Sequence, residues 1–219
     1  MHHALPNGAE DYLKPALAHN RIDSGLSFVT EQTHPIELIG DKTIPKYAFV
    51  RNPYSRVLSA YLNKIEPYAE GVRGENDDNN YFYRVYTEVD AYHCNNLPLV
   101  SKVNFYCFLL WLTNVNNVHT RNEHWRSQVE LLQTGSVDYT FIGKLENLDD
   151  DDAPTLLNYI GCDIDFPSQK KVSFAPTNAT SKLEKYYTEQ ELKLVNALFL
   201  SDFEFFEYDL ITDSLELKC

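Results

Sequence analysis

Positive charge is scarce in this sequence. Nineteen lysines and arginines stand against 32 aspartates and glutamates, a formal net charge of −13. Non-specific nucleic-acid binding needs a basic stripe to displace counterions from phosphates. None is present, so that class is excluded. The same deficit disfavours a long polyanionic substrate unless a local basic groove overrides the mean field. A neutral or lightly charged substrate fits better. Long apolar runs are also missing. No stretch of about 18 apolar residues exists, so no transmembrane helix is expected. The opening Met1-His-His-Ala-Leu-Pro6 lacks the basic and apolar regions of a secretory signal, and a soluble, cytoplasmic chain is expected. Cysteines are few: Cys94, Cys107, Cys162 and Cys219 are spread too widely for a zinc pattern. They are expected as free thiols in a cytosolic protein, with a disulfide open to a secreted one. No GxxxxGK[ST] element occurs, which weakens a phosphoryl-transferring kinase reading.

What the chain does have is a core. With 219 residues, 43% hydrophobic and 13% aromatic, it is long enough for one domain and too apolar for disorder.

The most informative stretch runs from Lys46 to Ile65. Tyr47 to Val50 reads as a short buried strand. Asn52 is placed to cap a helix and Pro53 suits its first position, where a missing N–H costs nothing. Val57, Leu58, Tyr61, Leu62 and Ile65 recur at helical spacing. A strand running into a helix start gathers free N–H groups and positive dipole at one spot. Arg51, Arg56 and the Ser59 hydroxyl beside it make an anion site, most simply one for phosphate. The plain alternative is an ordinary strand–helix unit with Arg51 and Arg56 as surface charges.

Elsewhere, residues 20–45 carry little chemistry. Ser27 to Thr30 is a short strand or loop, and His34-Pro35 punctuates it, with His34 a loop histidine. Residues 66–100 read as an insertion. Glu70 to Asn80 is an exposed loop, and Tyr81 to Tyr86 is either an aromatic lip that stacks on a ligand or a packed cover. From Ser101, as N-cap, to Leu112 the residues suit a buried helix. Tyr139 to Gly143 reads as a buried strand. Asp149 to Asp152 opens a helix reaching about Tyr159, the acids favoured at its positive end. Thr188 with Glu191 forms a capping box for a helix over Lys185 to Phe199. Asn178-Ala-Thr180 is a glycosylation sequon if the chain is secreted.

Phe49-Val-Arg-Asn-Pro-Tyr-Ser-Arg-Val-Leu-Ser-Ala-Tyr61 resembles the 3′-phosphate-binding motif of sulfotransferases, nearest to the Golgi carbohydrate branch (chondroitin and HNK-1 type) and its bacterial relatives. Further segments follow in family order. His124-Trp-Arg-Ser-Gln128 resembles His-Trp-x-Pro-Gln, with Ser127 where proline is usual. Phe141-Ile-Gly-Lys-Leu-Glu-Asn-Leu148 resembles Phe-Ile-Gly-Lys/Arg-x-Glu-x-Leu. Asn178-Ala-Thr180 resembles an Asn-x-Thr loop near the nucleotide, and Asp202 to Tyr208 resembles the terminal Asp-x-x-x-Phe-x-Tyr.

The resemblance implies a P-loop-like three-layer α/β fold, with a short parallel sheet flanked by helices, in a single domain spanning 1–219. It implies 3′-phosphoadenylyl sulfate (PAPS) as sulfuryl donor and a hydroxyl acceptor, a small molecule or a glycan. It requires no metal. Arg51 and Ser59 map onto the 3′-phosphate ligands, with Arg56 in support and Asn178 and Thr180 beside the nucleotide. His124 maps beside the donor, where it either accepts the hydroxyl proton or orders the site; Glu123 is a competing carboxylate. The phosphosulfate loop, Pro-Lys-x-Gly-x-Thr-x-x-Lys in the family, aligns with Pro6 to Lys14. Lys14 matches and Gly8 is one place early, but Asn7, Ala9 and Asp11 hold the Lys, Gly and Thr positions. Asp11 would repel a phosphosulfate. Either this loop is degenerate, or the true loop lies upstream of Met1, or another cation such as Lys14 or Lys46 serves. The Golgi relatives carry a membrane anchor, so a luminal domain of such an enzyme is the alternative location. A non-catalytic nucleotide- or glycan-binding protein is the alternative function.

Overall fold

The structure is a computed structural model that describes residues 34–75, 80–96, 102–114, 116–163 and 177–218. In chain order it contains α1 (Pro35–Gly40), β1 (Tyr47–Val50), α2 (Pro53–Lys64), α3 (Glu66–Ala69), α4 (Asn80–Asn96), α5 (Phe105–Leu112), α6 (Gln128–Leu132), β2 (Phe141–Lys144), α7 (Ala153–Tyr159), α8 (Leu183–Tyr186), α9 (Glu189–Leu198) and α10 (Leu200–Phe205). The architecture is a short parallel sheet with helices, as expected for the α/β class. The chain divides into two compact units: Met1–Val50 with Gln133–Pro176, and Arg51–Leu132 with Thr177–Cys219.

The first unit holds the sheet. β1 and β2 run parallel in the register Tyr47↔Phe141, Ala48↔Ile142, Phe49↔Gly143 and Val50↔Lys144. The pairing is prepared one step earlier, where Thr140 N–H donates to the Lys46 carbonyl at 2.8 Å. This register sets β2 at Phe141–Lys144, two residues later than the Tyr139 start expected from the apolar pattern. Gly143 packs closely: a Cβ there would lie 2.5 Å from the Phe49 ring, so the ring would have to shift to admit any side chain. The acidic run forms a wide turn, Leu148–Asp152, ahead of α7. Asp152 turns back to accept the Lys144 N–H at 2.5 Å. Residues 34–46 hold more structure than expected. His34-Pro35 opens α1, with proline in its first turn, instead of only punctuating a loop. The Lys46 ammonium donates to the carbonyls of Asp41 (2.5 Å) and Ile44 (3.0 Å).

The second unit holds the hydrophobic core. α2 begins where its cap chemistry dictates: Asn52 accepts the Tyr54 N–H at 3.0 Å and Pro53 occupies the first turn. All five residues of the expected apolar face, Val57, Leu58, Tyr61, Leu62 and Ile65, are buried. Each such side chain removed from water contributes about 1.5–3 kcal/mol before entropy is counted. Tyr54 joins them. Its ring is fully enclosed and its hydroxyl bonds Asn196 and, at 2.8 Å, accepts the Ile211 N–H.

The Tyr81–Tyr86 stretch is the packed cover: it lies in α4, which buries Phe82, Val85 and Val89. Glu70 to Glu75 forms the exposed turn before it. α5 is buried as expected, but it starts at Phe105 under an Asn104 cap that accepts the Cys107 N–H at 2.9 Å. Ser101 therefore does not cap it, and lies outside the described residues. The helix expected over Lys185 to Phe199 is broken at Tyr187. That residue is extended and its hydroxyl donates to the Tyr54 carbonyl at 2.8 Å. α9 then starts afresh from the Thr188–Glu191 capping box.

Candidate donor-binding site

The second unit brings three separated segments together by hydrogen bonds: Arg51–Ser59, Asn122–Val129 and Thr177–Thr180.

Arg51 directly follows β1, where among the described residues its peptide has no neighbouring strand. The Gln128 carboxamide takes the strand's place. Arg51 N–H donates to Gln128 Oε1 and Gln128 Nε2 donates to the Arg51 carbonyl, both at 2.8 Å. The guanidinium is aimed by Ser55, whose Oγ accepts from Arg51 Nε at 3.0 Å. Gln128 is held in turn by Asp202 of α10, a fully buried carboxylate. Asp202 accepts the Gln128 N–H at 2.8 Å, the Val129 N–H at 2.9 Å and the Ser127 hydroxyl at 2.5 Å. The free N–H groups that open α6 thus receive a negative charge from a distant part of the chain. Ser127, standing where the family usually has proline, provides one of these donors.

Arg56 faces the same turn. Its Nη1 donates to the Arg126 carbonyl and its Nη2 to the Glu123 carbonyl, each at 2.8 Å. Burial pushes its pKa down to about 10, the nearby Arg51 and Arg126 push the same way, and Asp202 opposes them. It remains a cation at neutral pH. Arg56 therefore fixes the His124 turn with two of its donors. Ser59 pairs with Thr177 across 2.8 Å between hydroxyl oxygens. Beyond Thr177 the backbone turns through Asn178 in the left-handed region, φ 52°, a conformation that asparagine tolerates. Asn178 and Thr180 are both exposed.

His124 lies on this turn with its tautomer settled by geometry. Asn122 Oδ1 accepts the His124 backbone N–H at 3.0 Å. A backbone N–H only donates, so the facing Asn122 atom is oxygen. The same oxygen is 2.7 Å from His124 Nδ1. Nδ1 therefore carries the hydrogen, and in neutral imidazole the lone pair sits on Nε2. The other end of Asn122 agrees: Nδ2 donates to the Tyr81 hydroxyl at 3.1 Å. The ring stands edge-on to Phe82 at 5.2 Å. Trp125 is buried and donates Nε1–H to the His119 carbonyl at 2.9 Å. The competing carboxylate Glu123 is largely exposed, 3.7 Å from His124 Nδ1.

Arg51 and Arg56 thus both bond the Asn122–Val129 segment that carries His124, while Ser59 bonds Thr177. Pro6 to Lys14, including Gly8 and Lys14, lies outside the described residues. Asp202 lies in the terminal motif and Asn122 just ahead of the His124 motif, and neither was assigned a role from sequence. Their signals are a carboxylate among phenylalanines (Asp202 to Phe206) and an asparagine two residues before the histidine.

The sequence pattern of the sulfotransferase family matches residues 14–209. The chain belongs to this family. Among curated sulfotransferases, mouse carbohydrate sulfotransferase 12 is 30% identical over 185 residues, covering 76% of this chain and 41% of the relative. Its Xenopus laevis counterpart is 29% identical over 197 residues, 80% of this chain and 43% of the relative. Human carbohydrate sulfotransferase 8 is 27% identical over 174 residues, 76% and 38% respectively. The chain spans about two fifths of the length of these carbohydrate sulfotransferases. No solved structure matches. Among the described residues, no helix is long and apolar enough to cross a membrane.

Proposed function

We propose that this sulfotransferase-family chain moves a sulfuryl group from PAPS to a hydroxyl of a carbohydrate. The observation that carries this reading is the convergence of the Arg51–Ser59 segment, the His124 turn and the Thr177–Thr180 turn in one unit. Guanidinium and hydroxyl donors are the chemistry a phosphate monoester requires, so the residues present fit the donor. Arg51 and Ser59 bind the 3′-phosphate; Arg56 supports it through the turn carbonyls; Asn178 and Thr180 flank the nucleotide. The acceptor oxygen attacks sulfur and the bond from sulfur to the 5′-phosphate oxygen breaks. The hydroxyl proton passes to His124 Nε2, and 3′,5′-adenosine bisphosphate leaves. The names of the relatives support a carbohydrate acceptor.

Calorimetric binding of 3′,5′-adenosine bisphosphate to wild type, Arg51→Ala and Ser59→Ala tests the donor site. Micromolar binding that weakens at least about tenfold in each variant supports it. Absence of binding to wild type sinks it.

One observation favours a second reading. Asn7 and Asp11 stand where the family places Lys and Thr, which suits a binder that kept the 3′-phosphate site and lost transfer. Asn7→Lys with Asp11→Thr separates the two: gained transfer marks a decayed enzyme.

A further inference from the structure

Helix α4 grips the His124 turn from outside the donor-binding residues. At one place Glu88 accepts from Asn117 Nδ2 at 2.7 Å and lies 3.5 Å from His119 Nε2. At another, two adjacent residues reach the turn. Phe82 sets its buried ring edge-on to His124, 5.2 Å between centroids and 88° between planes, and edge-on to Trp125 at 6.2 Å. Tyr81 lays its ring against Phe82 at 5.2 Å and against His119 at 5.4 Å. These two ring contacts aim its hydroxyl, which accepts Asn122 Nδ2–H at 3.1 Å.

Asn122 is the side chain that selects the His124 tautomer, because its Oδ1 accepts both the His124 backbone N–H and Nδ1–H. The last torsion of an asparagine is soft, with a broad preference in place of sharp rotamers. Bonds at the oxygen hold one end of the carboxamide. Tyr81 holds the other end and stops the amide plane from swinging away from the imidazole. A carboxamide that swings weakens the bond from Nδ1–H to Oδ1. The hydrogen can then settle on Nε2, which removes the lone pair that would take a substrate proton. We propose that Tyr81 is a positioning residue: by bracing the Asn122 carboxamide it keeps the lone pair on His124 Nε2. That Nε2 serves as the base rests on the sulfotransferase reading; the tautomer does not.

The test uses the full chain as wild type, Tyr81→Phe, Asn122→Ala and the double variant. Phenylalanine keeps the ring and its packing on Phe82 and His119, and removes only the hydroxyl. Imidazole 15N shifts are recorded at about pH 8.5, where an ordinary histidine is neutral, and His124→Gln assigns the His124 signals. Wild type is expected to hold the hydrogen on Nδ1. Tyr81→Phe is expected to shift the tautomer ratio about fivefold toward Nε2–H, the equivalent of one ordinary hydrogen bond. Asn122→Ala already mixes the tautomers. Adding Tyr81→Phe to it is expected to change nothing further, because two residues that act through one contact are not additive. A Tyr81→Phe spectrum that matches wild type overturns the proposal. So does a Tyr81→Phe shift of equal size in the Asn122→Ala background.

Turnover follows the same cycle. In Tyr81→Phe kcat is expected to fall in proportion to the lost Nδ1–H share, with donor KM and 3′,5′-adenosine bisphosphate affinity unchanged. An equal fall in bisphosphate affinity marks a general structural loss and overturns the proposal. A tautomer shift that depends on Asn122, in a chain that transfers no sulfuryl group, keeps the Tyr81 assignment and removes the sulfotransferase reading instead.

Discussion

The Gln128 side chain and the Arg51 peptide exchange two hydrogen bonds of 2.8 Å, so a carboxamide stands in for a β-strand at the point where β1 has ended. This arrangement fixes the backbone from which the Arg51 side chain projects. Gln128→Leu removes both bonds to the Arg51 peptide, which costs about 1–3 kcal/mol. Gln128→Glu keeps the acceptor and loses the donor, so its stability falls in between. Both variants are expected to weaken bisphosphate binding, read by calorimetry alongside urea unfolding. Unchanged affinity in Gln128→Leu would show that the clamp does not position Arg51.

His124 is expected to act through Nε2. His124→Gln should lower turnover by about a hundredfold or more with donor affinity retained. Asn122→Ala removes the acceptor for Nδ1–H, so both tautomers become populated and turnover falls. Asn122→Asp retains the acceptor and keeps the wild-type tautomer. Imidazole 15N shifts distinguish a protonated ring nitrogen from a bare one, and an Nε2–H tautomer in wild type would refute the assignment.

Asp202 is fully buried and accepts three hydrogen bonds. Asp202→Ala leaves the Ser127 hydroxyl and the Gln128 and Val129 N–H groups without their acceptor. A loss of about 3–5 kcal/mol is expected, with a lower melting temperature and weaker bisphosphate binding in whatever folds. Asp202→Asn, which can satisfy only part of the set, falls between. A wild-type melt for Asp202→Ala would refute this account.

Alkali should unfold the chain through its tyrosines. Burial raises the phenols of Tyr54, Tyr61, Tyr186 and Tyr187 above the ordinary value of 10.0. The unfolded chain releases these protons near pH 10 and the native chain holds them, so above that pH the unfolded state binds fewer protons and stability falls. Their contribution is complete below about pH 10 and declines above it. Tyrosinate absorbance and loss of helical circular dichroism are expected to rise together for these residues. Ionisation of all 15 tyrosines with helicity intact would contradict the burial.

Local chemistry made much of this fold readable in advance. The Asn52 cap, Pro53 and the Val57-to-Ile65 spacing defined α2, and the Thr188–Glu191 box defined the start of α9, because each signal lies within one turn of the residue it governs. The motif residues Arg51, Ser59, His124 and Gln128 were legible by resemblance. What was not legible depends on partners far along the chain. Asp202 meets Gln128 across 74 residues and Gln128 meets Arg51 across 77. The break at Tyr187 follows from a hydroxyl reaching Tyr54, 133 residues earlier. Arg56 read as a phosphate ligand because its sequence neighbours are Arg51 and Ser59, whereas two of its donors are committed to carbonyls about 70 residues away. No periodicity encodes such pairings.

The Asp202–Gln128–Arg51 chain of contacts also sets an order of assembly. A ribosome delivers Arg51 first, Gln128 next and Asp202 last, and the first cannot be positioned until the last has arrived. A nascent chain halted before α10 has every arginine of the site and no clamp to aim them. The backbone around Arg51 is therefore fixed only once α10 has left the ribosome.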